Sequence, residues 1–212
     1  MRAHTAETQA TVTPEKALAF LKEGNQRFVN NLKYNRNLLE QVNDTKDGQW
    51  PFAIVLSCID SRTSAELIFD QGLGDIFSTR IAGNIANEDI LGSMEYACKV
   101  AGSRLVVVLG HSKCGAINGA CAGVKMGNLT GLLDKVSPSI EEVKKEQPGA
   151  LPSDAEFVEA VSHHNIIHTM DAILDRSEVL KELYEAGEIG IVGGYYNVET
   201  GEVEFTKTML KS

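Results

Sequence analysis

The chain has 212 residues, 43% of them hydrophobic and 23% charged, with a formal net charge of −9 at pH 7. That is the composition of a soluble globular protein with length for one sizeable core, and the acidic balance argues against nucleic acid as a partner. No apolar run approaches a membrane span, the N-terminus lacks the apolar core of a signal peptide, and four cysteines do not read as a disulfide framework; taking Met1 as the native start, these place the protein in a reducing cytoplasm.

Residues 1–11 are polar and read as a disordered lead-in. Thr13-Pro14 is a helix start, a capping hydroxyl followed by proline where its missing N–H does no harm. Leu18, Leu21, Phe28 and Leu32 recur at near-helical spacing, so a helix is predicted over 14–31, with a short second one over 36–44. Residues 12–45 thus form a helical arm and 46–212 an α/β core within a single domain. Asp47-Gly48 breaks the chain before a buried strand, Phe52–Leu56. A helix over Ser64–Asp70 ends at Gly72 and Gly74, and a strand over Asp75–Arg80 follows. Residues 87–101 are helical, with Ile90, Leu91, Met94, Ala97 and Cys98 inward. Leu105–Leu109 lies in the next buried strand, over 104–109, and Gly115 and Gly119 let a helix approach closely. Residues 128–147 read as helical, broken at Pro138. Ser153 caps a helical region reaching Ala186. A strand over 189–196, a turn at Glu199–Glu202 and a return over 203–205 close the chain. Cys98 and Cys121 read as small core residues. His164 and His168 are four apart and share a face, yet nothing completes a metal site around them; with His163 they read as surface or interface histidines.

Chemistry concentrates in two loops. Cys58-Ile59-Asp60-Ser61-Arg62 follows the first strand, and Gly110-His111-Ser112-Lys113-Cys114 follows the Leu105–Leu109 strand. Adjacent parallel strands deliver both loops to one end of a sheet, where open α/β sheets place their sites. Two thiols, an imidazole and a carboxylate are zinc ligands, and soft thiolates argue against magnesium or calcium. Side chains two apart point the same way in extended chain, so Cys58, Asp60 and Arg62 share a face if strand geometry persists. His111 and Cys114, three apart, suit a loop closing onto a helix, whose N-terminus favours the Cys114 thiolate. A zinc held by Cys58, His111 and Cys114 keeps the fourth position that catalysis requires. The alternative is a closed site that only holds the fold; an Asp–Arg pair beside the ligands argues against it.

Cys-x-Asp-x-Arg followed by His-x-x-Cys resembles the β-class carbonic anhydrases, from about Pro14 to the final strand. Phe77 with Arg80, Ala82-Gly83-Asn84, Glu95-Tyr96-Ala97 and Tyr196–Gly201 match as well, while Ile81 stands where Asn is more usual. The resemblance implies a mostly parallel central β-sheet with an antiparallel edge strand, flanked by helices, and an N-terminal helical arm that packs on a neighbouring subunit. It implies one zinc per subunit on Cys58, His111 and Cys114, a homodimer or tetramer, and reversible hydration of carbon dioxide to bicarbonate and a proton. Asp60, kept ionised by Arg62, would orient the zinc-bound hydroxide that attacks carbon dioxide. In the plant-like branch Gln49, Phe77 and Tyr96 would line the substrate pocket, Tyr96 partly across a dimer interface, and the Gly115 N–H would meet a bound anion. Another branch closes at low pH, with the residue matching Asp60 as fourth ligand and bicarbonate in a non-catalytic pocket; it carries Trp where this chain has Val55. An open site at neutral pH is therefore expected, without that pocket. The rival readings are a carbonyl sulfide or carbon disulfide hydrolase on the same ligands, a non-catalytic zinc-stabilised interaction protein, and a redox sensor losing zinc when Cys58 and Cys114 oxidise.

Overall fold

A computed structural model describes residues 3–211. Its centre is a five-stranded sheet of order β2-β1-β3-β4-β5: β1 Ala53–Ser57, β2 Ile76–Arg80, β3 Leu105–His111, β4 Gly190–Tyr196 and β5 Val203–Met209. The first four are mutually parallel and β5 runs antiparallel to β4. β1, β3 and β4 are buried along their whole length, so they read as continuous apolar runs rather than alternating ones. Alternation still divides their side chains between two cores. Ile54, Leu56, Val106 and Val108 face one cluster with Ile166, Met170 and Leu180. Val55, Val107 and Leu109 face the other with Leu18, Leu21 and Phe69.

The helices are α1 Ala6–Ala10, α2 Pro14–Val29, α3 Leu38–Thr45, α4 Ala65–Ile68, α5 Glu88–Glu95, α6 Gly115–Cys121, α7 Gly127–Leu133, α8 Ser137–Glu146, α9 Ala155–Arg176 and α10 Glu178–Glu185. Short 3₁₀ turns cover Ala82–Asn84 and Asp134–Val136, and α5 runs on as a π-helical turn over Tyr96–Val100.

Several boundaries differ from the sequence reading. Residues 6–10 of the expected lead-in are helical, started by a capping box between Thr5 and Thr8 and anchored by the Gln9 amide, which donates to the carbonyls of Pro51 and Ala101 at 2.8 Å each. Met1 and Arg2 lie outside the described residues. Pro138 begins α8 rather than breaking a helix, since it sits in the first turn where no N–H is needed. The long C-terminal helix divides at Ser177, whose hydroxyl accepts from the Leu180 N–H and starts α10. β3 continues two residues past its apolar run, so His111 is itself the last strand residue.

Candidate metal centre

The parallel register sets the site. Ser57 pairs with Arg80 on one side and Leu109 on the other, and His111 pairs with Tyr196. The loops after β1 and β3 therefore leave the sheet side by side.

Strand geometry does not persist past Ser57, contrary to the shared-face expectation. Instead the chain turns, with Thr63 N–H donating to the Asp60 carbonyl at 3.0 Å. Two side chains fasten this turn. The Thr63 hydroxyl lies 3.1 Å from the Cys58 carbonyl and 2.9 Å from that of Asp60. Arg80 donates through Nε to the Cys58 carbonyl at 3.0 Å and through Nη2 to the Asp60 carbonyl at 2.6 Å. The turn brings Arg62 back onto Asp60: Nε reaches Oδ1 at 2.9 Å, Nη2 reaches Oδ2 at 2.7 Å, and the Arg62 N–H also donates to Oδ1 at 3.0 Å. Arg62 Nη2 further lies 3.3 Å from the Lys113 carbonyl, tying the two loops together. This fork of donors holds the Asp60 carboxyl well below the usual carboxylate range.

His111 is 1% exposed. Its Nδ1 lies 2.9 Å from the Ser112 carbonyl. A carbonyl can only accept, so Nδ1 carries the proton and Nε2 the lone pair. Nε2 is buried and has no hydrogen-bond partner. Lys113 then adopts φ 54°, the left-handed conformation that turns the chain sharply, and Cys114 becomes the N-cap of α6. The Cys58 and Cys114 sulfurs are 3.9 Å apart, both buried. With His111 they form the one group of three or more metal-ligating side chains among the described residues, all ligand atoms lying within 4.8 Å of one another. A tetrahedral ion with metal–sulfur bonds of about 2.3 Å spaces two sulfurs by about 3.8 Å, so the donor set fits a soft, tetrahedral metal. The Cys58 thiol is pulled down by the hydrogen bond from Cys114, and Cys114 is pushed up by that same shared proton and by burial. The backbone N–H groups of Ala116 and Ile117, in the first turn of α6, pull Cys114 the other way, as its place at the helix start leads one to expect.

The remaining sequence candidates lie at different distances from this centre. Gly115 opens α6 directly after Cys114, with open space where a Cβ would stand. Phe77 and Tyr96 pack edge to face, ring centroids 6.2 Å apart, and line a groove of about 650 Å³ with Ile54, Ser78 and Gly92. Phe77 precedes Arg80 by three strand residues, roughly 10 Å back from the loop end of β2. Gln49 is exposed ahead of β1. His163 stacks on Tyr195 at 4.0 Å, His164 meets Glu146 at 2.9 Å and His168 is exposed, which accords with surface and packing roles. Cys98 is buried and Cys121 only half so. Sequence reasoning gave no role to Thr63, Arg80 or Ser112. Their bonds cross between loops, and only the parallel register, which sets Arg80 beside Ser57, could have pointed to one of them.

A buried Cys-His-Cys donor set and a forked Asp–Arg pair at the loop end of the sheet define an α/β protein with a candidate metal centre. The family profile described as carbonic anhydrase matches residues 53–203. Carbonic anhydrase 2 of Mycobacterium tuberculosis is 35% identical over 194 residues, covering 89% of this chain and 90% of that protein. A Coccomyxa β-carbonic anhydrase solved with acetazolamide superposes with a TM-score of 0.74 at 20% identity, covering 91% of this chain and 88% of that one. A tetrameric β-carbonic anhydrase of Sordaria macrospora gives 0.70 at 22% identity, covering 76% and 83%. The chain belongs to the β-class carbonic anhydrases, the enzymes that hydrate carbon dioxide.

Proposed function

We propose that Cys58, His111 and Cys114 hold one zinc ion per subunit and that the site is of the open, plant-like kind. The observation that carries this is the pairing of a buried, partnerless His111 Nε2 beside two thiols with an Asp60 whose two oxygens are both committed to Arg62. Zinc held there would supply a Lewis acid that makes water nucleophilic near neutral pH. Asp60, ionised and fixed by Arg62, accepts a hydrogen bond from the attacking water and so aims its lone pair at the carbon of carbon dioxide. Since it stays ionised, it cannot donate a proton in return. The Gly115 N–H, at the first position of α6 and outside the helical ladder, is the donor for an oxygen of the bicarbonate product. Gln49, ahead of β1, and the Phe77–Tyr96 face lie away from the loop end of their own chain, so they wall the substrate across a subunit boundary in a homodimer or tetramer. Val55 in place of a bulky ring leaves no bicarbonate pocket behind the site. Four free cysteines suit a reducing cytoplasm, and among the described residues no helix is long and apolar enough to cross a membrane.

Stopped-flow hydration of carbon dioxide with a pH indicator tests the reading. Zinc-loaded protein should turn over rapidly, and Asp60→Asn should lose activity by about 10²-fold through lost orientation while keeping its zinc. Stoichiometric zinc without hydration would favour carbonyl sulfide or carbon disulfide hydrolysis, assayed next, or a zinc-stabilised protein without turnover. Release of zinc on mild oxidation, reversed by a reducing agent, would measure how far the Cys58–Cys114 pair senses redox state.

A further inference from the structure

We propose that Ser112 is a positioning residue: it locks the His111 ring and ties that lock to the hairpin between β4 and β5. The proposal rests on the reading of Cys58, His111 and Cys114 as the metal site. Three polar atoms of this one buried residue bond to three different places. Its carbonyl accepts a hydrogen bond from the His111 Nδ1–H, with N and O 2.9 Å apart. Its N–H donates to the Tyr196 carbonyl at 3.0 Å, one step beyond the last paired residues of β3 and β4. Its hydroxyl oxygen accepts the Val198 N–H at 3.0 Å.

The hairpin it grips is closed on itself. Asn197 N–H donates to the Glu202 carbonyl at 2.9 Å, and the Asn197 side-chain oxygen accepts from Glu199 N–H at 2.8 Å and Thr200 N–H at 3.3 Å. Glu199 then reaches back to Lys113, the next residue of the ligand loop. An imidazole hung from a strand end can rotate about its side-chain bonds; a carbonyl on Nδ1 stops that rotation only as firmly as the carbonyl itself is held. Here it is held by the N–H and hydroxyl of its own residue, so Nε2 stays aimed at the two sulfurs. Partners of this kind behind a metal-ligating histidine typically change metal affinity or activity by 10- to 100-fold when lost.

The test compares zinc-loaded wild type, Ser112→Ala and Ser112→Thr. Zinc release is followed with a chromophoric chelator, and the cobalt-substituted proteins are compared by their thiolate-to-metal absorption. Ser112→Ala should release zinc roughly 10-fold faster, shift the cobalt bands and lower kcat more than it raises KM. Ser112→Thr, which keeps an oxygen for the Val198 N–H, should restore all three. A Ser112→Ala protein that melts earlier but releases zinc at the wild-type rate with unmoved bands would reduce Ser112 to a structural role, and failure of threonine to rescue would overturn the proposal equally. Asn197→Ala provides a second handle if alanine at 112 prevents folding: it loosens the hairpin without touching the loop and should accelerate release in the same direction, unchanged release counting against the proposal. A wild type that takes up no zinc would sink the metal-site reading itself; zinc-bound wild type beside an indistinguishable Ser112→Ala sinks this proposal alone.

Discussion

Arg62 grips Asp60 through Nε and Nη2 at once, and a lysine cannot reproduce that fork. The consequence is best seen as a dependence on pH. Burial on its own pushes the Asp60 carboxyl up, and the Arg62 hydrogen bonds outweigh it. With the folded value depressed, Asp60 keeps its charge down through the ordinary carboxylate range of about 4. In Arg62→Lys the depression shrinks, so protonation begins at higher pH. Hydration at pH 8 should fall by roughly tenfold through lost orientation alone, and the ratio of variant to wild-type activity should fall further as pH drops from 7 to 5. A ratio that stays level across that range would show that Arg62 only places Asp60 and does not hold its charge. At this scale the sequence was most legible in the ligands, because Cys, His and Asp at loop ends have few other uses. The route by which Asp60 meets Arg62 was not legible: side chains two apart suggest a shared strand face, whereas a turn closed by Thr63 and Arg80 does the work, and those partners lie across gaps that spacing cannot express.

Elements were legible where one rule governs and blurred where two compete. Thr13 and Pro14 start α2 as expected, the Thr13 hydroxyl accepting from Lys16 N–H. The predicted far end runs two residues past Val29 because Leu32 continues the apolar rhythm, although Asn31 turns left-handed at φ 55° and Leu32 is exposed. What the rhythm could not reveal is how closely α2 lies on the core. A Cβ on Gly24 would stand 1.8 Å from the Phe69 carbonyl oxygen, at the end of α4, whose N-terminus follows the Cys58–Arg62 loop. Backbone on both sides leaves no rotamer to yield, so Gly24→Ala must push α2 away. A loss of about 1–3 kcal/mol in urea unfolding is expected, against the slight gain that alanine brings to an unpacked helix interior. Zinc content should stay stoichiometric, since α2 makes no bond to the ligands. A neutral or stabilising outcome would mean that α2 docks more loosely than the structure places it.

At the scale of the whole molecule, apolar side chains are exposed near one edge of the sheet. β2 is one of the two edge strands of the sheet, and an edge of this kind ordinarily pairs or is protected. Tyr96 packs on Phe77 of β2, and Tyr96 and Val100, one turn apart on the helix, are 53% and 70% exposed. Exposed apolar side chains grouped at an open edge are what a second subunit would cover. If the Phe77–Tyr96 face serves the site across that boundary, assembly and turnover should fail together. Val100→Asp tests this without touching a ligand, Asp60 or Arg62. In sedimentation velocity the wild type should run as a dimer or larger and the variant should shift toward monomer, with circular dichroism and zinc content unchanged. Hydration should fall in proportion to the monomer fraction and recover at protein concentrations that restore the dimer. A fully active Val100→Asp monomer would separate catalysis from assembly and confine the substrate pocket to the groups that one chain supplies. A variant that still assembles but loses activity would instead place this face at the substrate within a different subunit contact, and Leu38, Leu39 and Val42 of α3, each more than half exposed, would become the next positions to charge.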